Sequence, residues 1–208
     1  MATFMKITPG LILLFVLSAG CTGEKVSGSD RTASVRDMTT PEITPQETRV
    51  PAATTVKFSL KSTGFQEGGT IPSKYTCDGK DVSPPLSWSL PGGVTSFALI
   101  VDDPDAPGGV FTHWVLFDLP PNITVLPEGV PKTGRLDEGG IQGKNDFGEI
   151  GYNGPCPPAG KPHTYRFILY ALDLELNLKP GANKQQVLKA MEGHVLSKSE
   201  IDGKYGRR

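Results

Sequence analysis

Charge of one sign is missing from this chain. Its 208 residues carry 21 Lys and Arg against 22 Asp and Glu, a formal net charge of -1, with neither a basic stripe nor an acidic block. Nucleic acid is therefore excluded as an expected partner, because such binders need a cationic surface to displace counterions from phosphates. The familiar hydrolase signatures are missing too. No Gly-x-Ser-x-Gly elbow, no His-Glu-x-x-His helix and no cysteine cluster at metal-ligand spacing occurs, and no nucleophile stands out. No internal repeat is present. No apolar run approaches the ~20 residues that cross a bilayer; the N-terminal stretch around residues 11–17 is too short.

That stretch reads instead as an export signal. Lys6 supplies the positive charge, residues 11–17 the apolar centre, and Leu17-Ser18-Ala19-Gly20-Cys21 a small-residue cleavage site ending in cysteine. The expected outcome is a signal peptide over residues 1–20 and a lipid on Cys21, anchoring the protein outside the cytoplasmic membrane or in the periplasm. A simple leader with an incidental cysteine is the other reading. From residue 21 to 55 the chain is rich in Ser, Thr, Pro and Glu and nearly free of large apolar residues, which predicts a disordered tether. Residues 56–208 have the length of one domain with a single core.

Within that domain, short runs rich in β-branched and aromatic residues alternate with Pro/Gly loops. Strands are predicted over residues 56–60, 86–88, 95–102, 111–119 and 165–173, giving a mostly β fold, an antiparallel β-sandwich. Residues 96–101 and 165–172 are apolar on both alternating faces and should be central strands. One short helix, towards the C-terminus, is predicted over residues 183–192. Asn183 is its N-cap, Gln186 follows three residues later, and Gly193 stops it.

Polar side chains gather where loops meet strands, in Asp103-Pro104-Asp105-Ala106-Pro107, in Phe111-Thr112-His113-Trp114 and in the segment from Gly151 to Tyr165. Residues two apart on a strand share a face, so His163 and Tyr165 should point together, and His113 should stand over Val115 and Phe117. His113, His163 and Tyr165, converging beside Asp103 and Asp105, would make a small polar cup, with Gly154 and Pro155 shaping its wall. A carboxylate in an anion site needs a reason: one Asp holds a histidine in its charged form and tautomer, or a singly protonated phosphate donates to it. Asp105 reads as an Asx turn, Tyr165 alternatively as core, His194 as a helix C-terminal cap, and Trp88 and Trp114 as core or rim. Asn122 opens a glycosylation sequon behind two prolines. With Cys21 set aside for the lipid, Cys77 and Cys156 of an exported domain suggest a disulfide, the alternative being two buried thiols.

The segments quoted, together with Tyr75-Thr76-Cys77-Asp78-Gly79-Lys80-Asp81-Val82-Ser83-Pro84-Pro85-Leu86-Ser87-Trp88 and Gly203-Lys204-Tyr205, resemble the phosphatidylethanolamine-binding protein family, in its bacterial and archaeal Raf-kinase-inhibitor-like branch. The resemblance runs from about residue 56 to the C-terminus. It implies an antiparallel β fold and an anion pocket for phosphate-like head groups, with Asp103 as the pocket carboxylate. It also implies a kinase or protease as protein target. The expectation is a binding module and not an enzyme, without cofactor or metal, for a small anionic or phosphorylated ligand. The rival is a metal-dependent or acid/base hydrolase using His113, His163 and Asp103; a third reading is an interaction scaffold with a vestigial pocket.

Overall fold

The computed structural model describes residues 57–207, so the readings for the signal, Cys21 and the tether fall outside the described residues. Two antiparallel sheets are formed. The smaller has the order β1-β2-β5, from Leu60–Ser62, Leu86–Trp88 and Val125–Leu126. The larger has the order β6-β4-β3-β7-β8, from Ile141–Gln142, Phe111–Leu119, Ser96–Asp103, His163–Leu172 and Val195–Tyr205. The helix α1 spans Lys184–Ala190, and one 3-10 turn spans Ser73–Tyr75.

Period-two alternation explains the layering. Phe97, Leu99 and Val101 of β3, with Trp114, Leu116, Phe167 and Leu169, meet Leu60, Leu86, Trp88 and Leu126 of the small sheet in one buried core. Their neighbours Ala98 and Ile100 point the other way, packing with Val115, Phe117 and Leu172 against Val187 and Met191 of α1. Every residue of β3 is buried, as a strand covered on both faces requires. β7 is likewise central, though Arg166, Ile168 and Tyr170 are only half covered. The helix begins as expected: the Asn183 side chain accepts from the Gln186 N–H and the Gln186 side chain accepts from the Asn183 N–H.

The first strand starts at Leu60, where residues 56–60 had been expected. The helix does not end the chain's regular structure: β8, eleven residues long, follows it and pairs with β7 along its length. Its Ser, Lys, Glu and Asp positions hide it from a hydrophobicity criterion, because an edge strand keeps charges outward. Gly203 is needed there, since a Cβ would come within 2.5 Å of Ile71. His194 does not cap α1 with its ring; Nδ1 donates to Asp173 while its backbone N–H serves the Met191 carbonyl. Asn122 lies exposed on a turn.

The largest sheet thus ends, on one side, where β3 finishes at Asp103, β4 begins at Phe111 and β7 begins at His163. That edge carries the site.

Candidate functional site

At this edge a cavity of about 140 Å³ opens between Asp103, Ala106, Pro107, Phe111, His113, Phe147, Cys156, Pro157, Pro158 and His163. Its floor is polar and its walls are aromatic and prolyl. The volume suits a phosphate-sized group and falls short of the several hundred Å³ of a drug-sized site.

Three of the expected residues meet there. Asp103 Oδ2 accepts from His163 Nδ1–H at 2.7 Å, and Asp103 Oδ1 accepts from the backbone N–H of Asp105 at 2.9 Å. The Asx turn therefore belongs to Asp103, not to Asp105. The Asp105 carboxylate takes the Thr164 N–H at 2.8 Å instead, a bond that holds its pKa below the ordinary value and pins the start of β7. His113 Nδ1 faces the Asn153 carbonyl at 2.8 Å. A carbonyl only accepts, so Nδ1 carries the hydrogen and Nε2 is the ring's other, unprotonated nitrogen. Burial is the main influence on His113 and pushes its pKa down, with the Asn153 carbonyl and Asp103 opposing, so the ring is neutral at pH 7. Nε2 of neither ring makes a hydrogen bond among the described residues.

His113 does not stand over Val115 and Phe117. Val101 pairs with Trp114 and Asp102 with Thr112, so the ladder skips His113 in a bulge. The extra residue turns the imidazole to the opposite face from Val115, towards Tyr165, whose ring it meets edge-on at 5.2 Å. Thr112 is left on the helix side, where its hydroxyl donates to Asp102. Phe111 and Phe147 close two more sides of His113, at 5.4 and 5.3 Å.

Tyr165 lies beneath the cup, fully buried, and is not among its lining residues. Among the described residues its hydroxyl has no hydrogen-bond partner, and burial first, then the charge of Asp103, drive its pKa far above the usual phenol value. Gly154 and Pro155 also stand outside the lining. Glycine is required at 154 because a Cβ would strike the Tyr75 carbonyl at 2.1 Å; its N–H donates to Asp81, and the Pro155 carbonyl accepts from Cys77 N–H. The segment they belong to still builds the wall through Cys156, Pro157 and Pro158. Cys77 and Cys156 form a disulfide, with Cα atoms 5.4 Å apart, closing a loop of 79 residues and tying that wall to the 73–80 loop. Such a closure stabilises by about 4 kcal/mol on chain entropy alone. Trp88 and Trp114 are core, and the rim role falls to Phe111 and Phe147.

Three contributors went unread in the sequence. Asn145 and Asn153 hold the cup from below, and Phe147 is an aromatic left 44% exposed at its mouth. The Asn145-Asp146-Phe147-Gly148 run carried the signal, a turn sequence presenting an aromatic. No three His, Cys, Asp or Glu side chains among the described residues are grouped to hold a metal ion.

Comparison with known proteins places this architecture. The family model for phosphatidylethanolamine-binding protein matches residues 61–206. A UPF0098 protein of Methanothermobacter thermautotrophicus is 57% identical over 151 residues, covering 72% of this chain and 99% of its own. A Mycobacterium tuberculosis protein named as a candidate lipoprotein, LppC, is 37% identical over 203 residues, 95% of this chain and 94% of its own. Among solved structures, the phosphatidylethanolamine-binding protein homolog CT736 of Chlamydia trachomatis is similar at a TM-score of 0.67 and 41% identity, covering 73% of this chain and 98% of that one. YbcL of E. coli gives a TM-score of 0.67 at 33% identity, with 74% and 100% covered. A family model matched across the whole sandwich, and relatives covered almost end to end, carry one conclusion: this chain belongs to the phosphatidylethanolamine-binding protein family.

Proposed function

We propose that the domain is a non-catalytic binding module whose cup takes a phosphate-like head group in its singly protonated form. One observation carries this reading. Two imidazoles with their Nδ1–H groups engaged, His113 on Asn153 and His163 on Asp103, line one small hollow beside a carboxylate. No Lys or Arg among the described residues lines it, so a fully ionised phosphate would meet Asp103 uncompensated. A ligand that brings its own proton supplies a donor for the unprotonated Nε2 of His113 or for the carboxylate, while a remaining oxygen accepts from Nε2–H of His163 when that ring is the imidazolium paired with Asp103. The apolar walls suit the carbon adjoining the head group.

The Asp103–His163 pair would also serve as a general base, which is the hydrolase reading. Against it, no free hydroxyl or thiol among the described residues lines the cup, and Cys156 is committed to the disulfide. The disulfide and the lipoprotein name of the Mycobacterium tuberculosis relative support an exported domain lipid-anchored through Cys21. A kinase or protease target would dock over the rim of Val110 and Phe147, both exposed beside the cup.

Thermal denaturation tests the central claim. Phosphate or phosphoethanolamine should raise the Tm of the native protein by mass action, and His163→Ala should abolish the rise while leaving the fold intact. A phosphomonoester, with its second pKa near about 6, should give a larger shift at pH 6 than at pH 8. A shift unchanged in His163→Ala, or larger at the higher pH, would refute the reading. Fatty-acid labelling of wild type and not of Cys21→Ser tests the anchor.

A further inference from the structure

The hydrogen bonds beneath the cup converge on a residue that never touches it. Asn145 is buried, and its carboxamide is fully used. Its Oδ1 accepts from the backbone N–H groups of Phe147 and Glu149, at 3.0 and 3.1 Å, folding the turn that lays the Phe147 ring against His113. Its Nδ2 donates to the Gly151 carbonyl at 3.0 Å and to the Asn153 side chain at 2.7 Å, with the His113 carbonyl a longer third neighbour at 3.4 Å. Asn153 is held from its other side by Asp81, which accepts from its Nδ2 at 3.3 Å and from Gly154 N–H, and which Lys132 neutralises at 2.8 Å. So clamped, Asn153 gives its N–H to the His113 carbonyl and presents its own carbonyl to His113 Nδ1.

We propose that Asn145 is the positioning residue of this cup: by holding the Asn153 carbonyl against the His113 ring it fixes the Nδ1–H tautomer and leaves Nε2 as an acceptor, which selects ligands that carry a proton. The claim rests on the anion-binding reading for its consequence, and on hydrogen-bond geometry alone for its cause. Among the described residues the Asn153 carbonyl is the hydrogen-bond partner of this imidazole, boxed by Phe111, Phe147 and Tyr165, and the partner of Nδ1 sets the tautomer. The ionisable groups around it are Asp102 and Asp103 from β3, His163 and Tyr165 from β7, and Asp146 and Glu149 from the turn. Asp103 is already engaged by His163, Asp102 by Lys184 and Thr112, and Asp146 by the Thr112 N–H.

The test reads the rings directly. Imidazole nitrogen NMR of the intact protein at pH about 8, where an ordinary histidine is uncharged, should show His113 wholly as the Nδ1–H form in wild type. In Asn145→Ala and in Asn153→Ala, which cuts the same link from its far end, the Nε2–H form of His113 should appear. His163, set by Asp103, should not change in either. Affinity for inorganic phosphate should fall about tenfold in both variants, the size of one weakened hydrogen bond to a charged group. If Asn145→Ala fails to fold, Asn153→Ala decides alone, since its side chain is only half buried. A His113 signal unmoved by the substitutions, or His113 and His163 moving alike, overturns the proposal. A wild type that binds no phosphate refutes the anion reading separately, and the spectra then judge Asn145's hold on the ring.

Discussion

Asp102 and Asp103 are consecutive in the chain and opposite in use. Asp102 points to the helix face of the large sheet, where Lys184 Nζ donates to it at 2.6 Å and the Thr112 hydroxyl at 3.0 Å. Asp103 points to the sandwich end, where its partner is an imidazole that still has a free nitrogen at an open cavity. Both carboxylates are buried, at 7% and 3% exposure, so burial does not separate them. Closure does. On the helix face each Asp102 oxygen meets a donor from within the protein, Lys184 on one and Thr112 on the other, and such a pair serves structure. At the cup the network stops at the Nε2 atoms of His113 and His163, and an outside group can complete it.

The sharpest way to break the comparison is on the closed side. Replacing Lys184 by Met leaves Asp102 buried without its counter-ion and should cost about 3 kcal/mol or more, read by urea denaturation, while the phosphate-induced Tm shift survives. A loss of that shift would mean the two faces are not independent.

Next in size is the covalent tie of the cup wall. Cys77→Ser with Cys156→Ser should cost about 2–4 kcal/mol. It should also weaken phosphate binding, since Cys156 is itself part of the lining; equal affinity in the variant would show that the Asp81 and Tyr75 contacts hold the wall unaided.

The two faces should also respond differently to acid. His113 is held below its ordinary pKa of 6.5 by burial. Its unfolded form therefore binds a proton before the folded form does. Its contribution to stability is complete above that value and shrinks as pH falls below it. His113→Gln should flatten the slope of stability against pH below 6.5, checked by denaturation as the pH is lowered. Removal of Lys184 should leave the slope in place.

The smallest effect belongs to the helix itself. Asn183→Ala removes the side-chain half of the capping box, the acceptor for the Gln186 N–H, and should cost about 1 kcal/mol, with no change at the cup.

Much of this was legible in the residues. The helix with its cap, β2, β4 and the fully buried β3 followed from spacing, because local periodicity and caps act within a few residues of one another. That one Asp would hold a histidine, and that Cys77 and Cys156 could join, were anticipated from chemistry; that the Asp would be Asp103 came from the family resemblance. The facing of His113 was not. Counting by twos from Val115 placed it on the helix side, and the bulge between Thr112 and Trp114 reversed it. Nor were Gly154 and Pro155 lining residues: what demanded glycine at 154 was the Tyr75 backbone, a neighbour remote in sequence. β8 escaped because a polar edge strand earns its place by pairing, which no single-strand pattern encodes.

The sequence by itself determined where β2, β3, β4 and most of β7 would run, where the helix would start, and which residue types would crowd the loops at one end of the sheet, since these depend on short-range sterics and burial. Only the tertiary structure decided which way each ring faces and which carbonyl each Nδ1 meets. Those choices are made across separations such as the 40 residues between His113 and Asn153, where register and a single inserted residue outweigh any local preference.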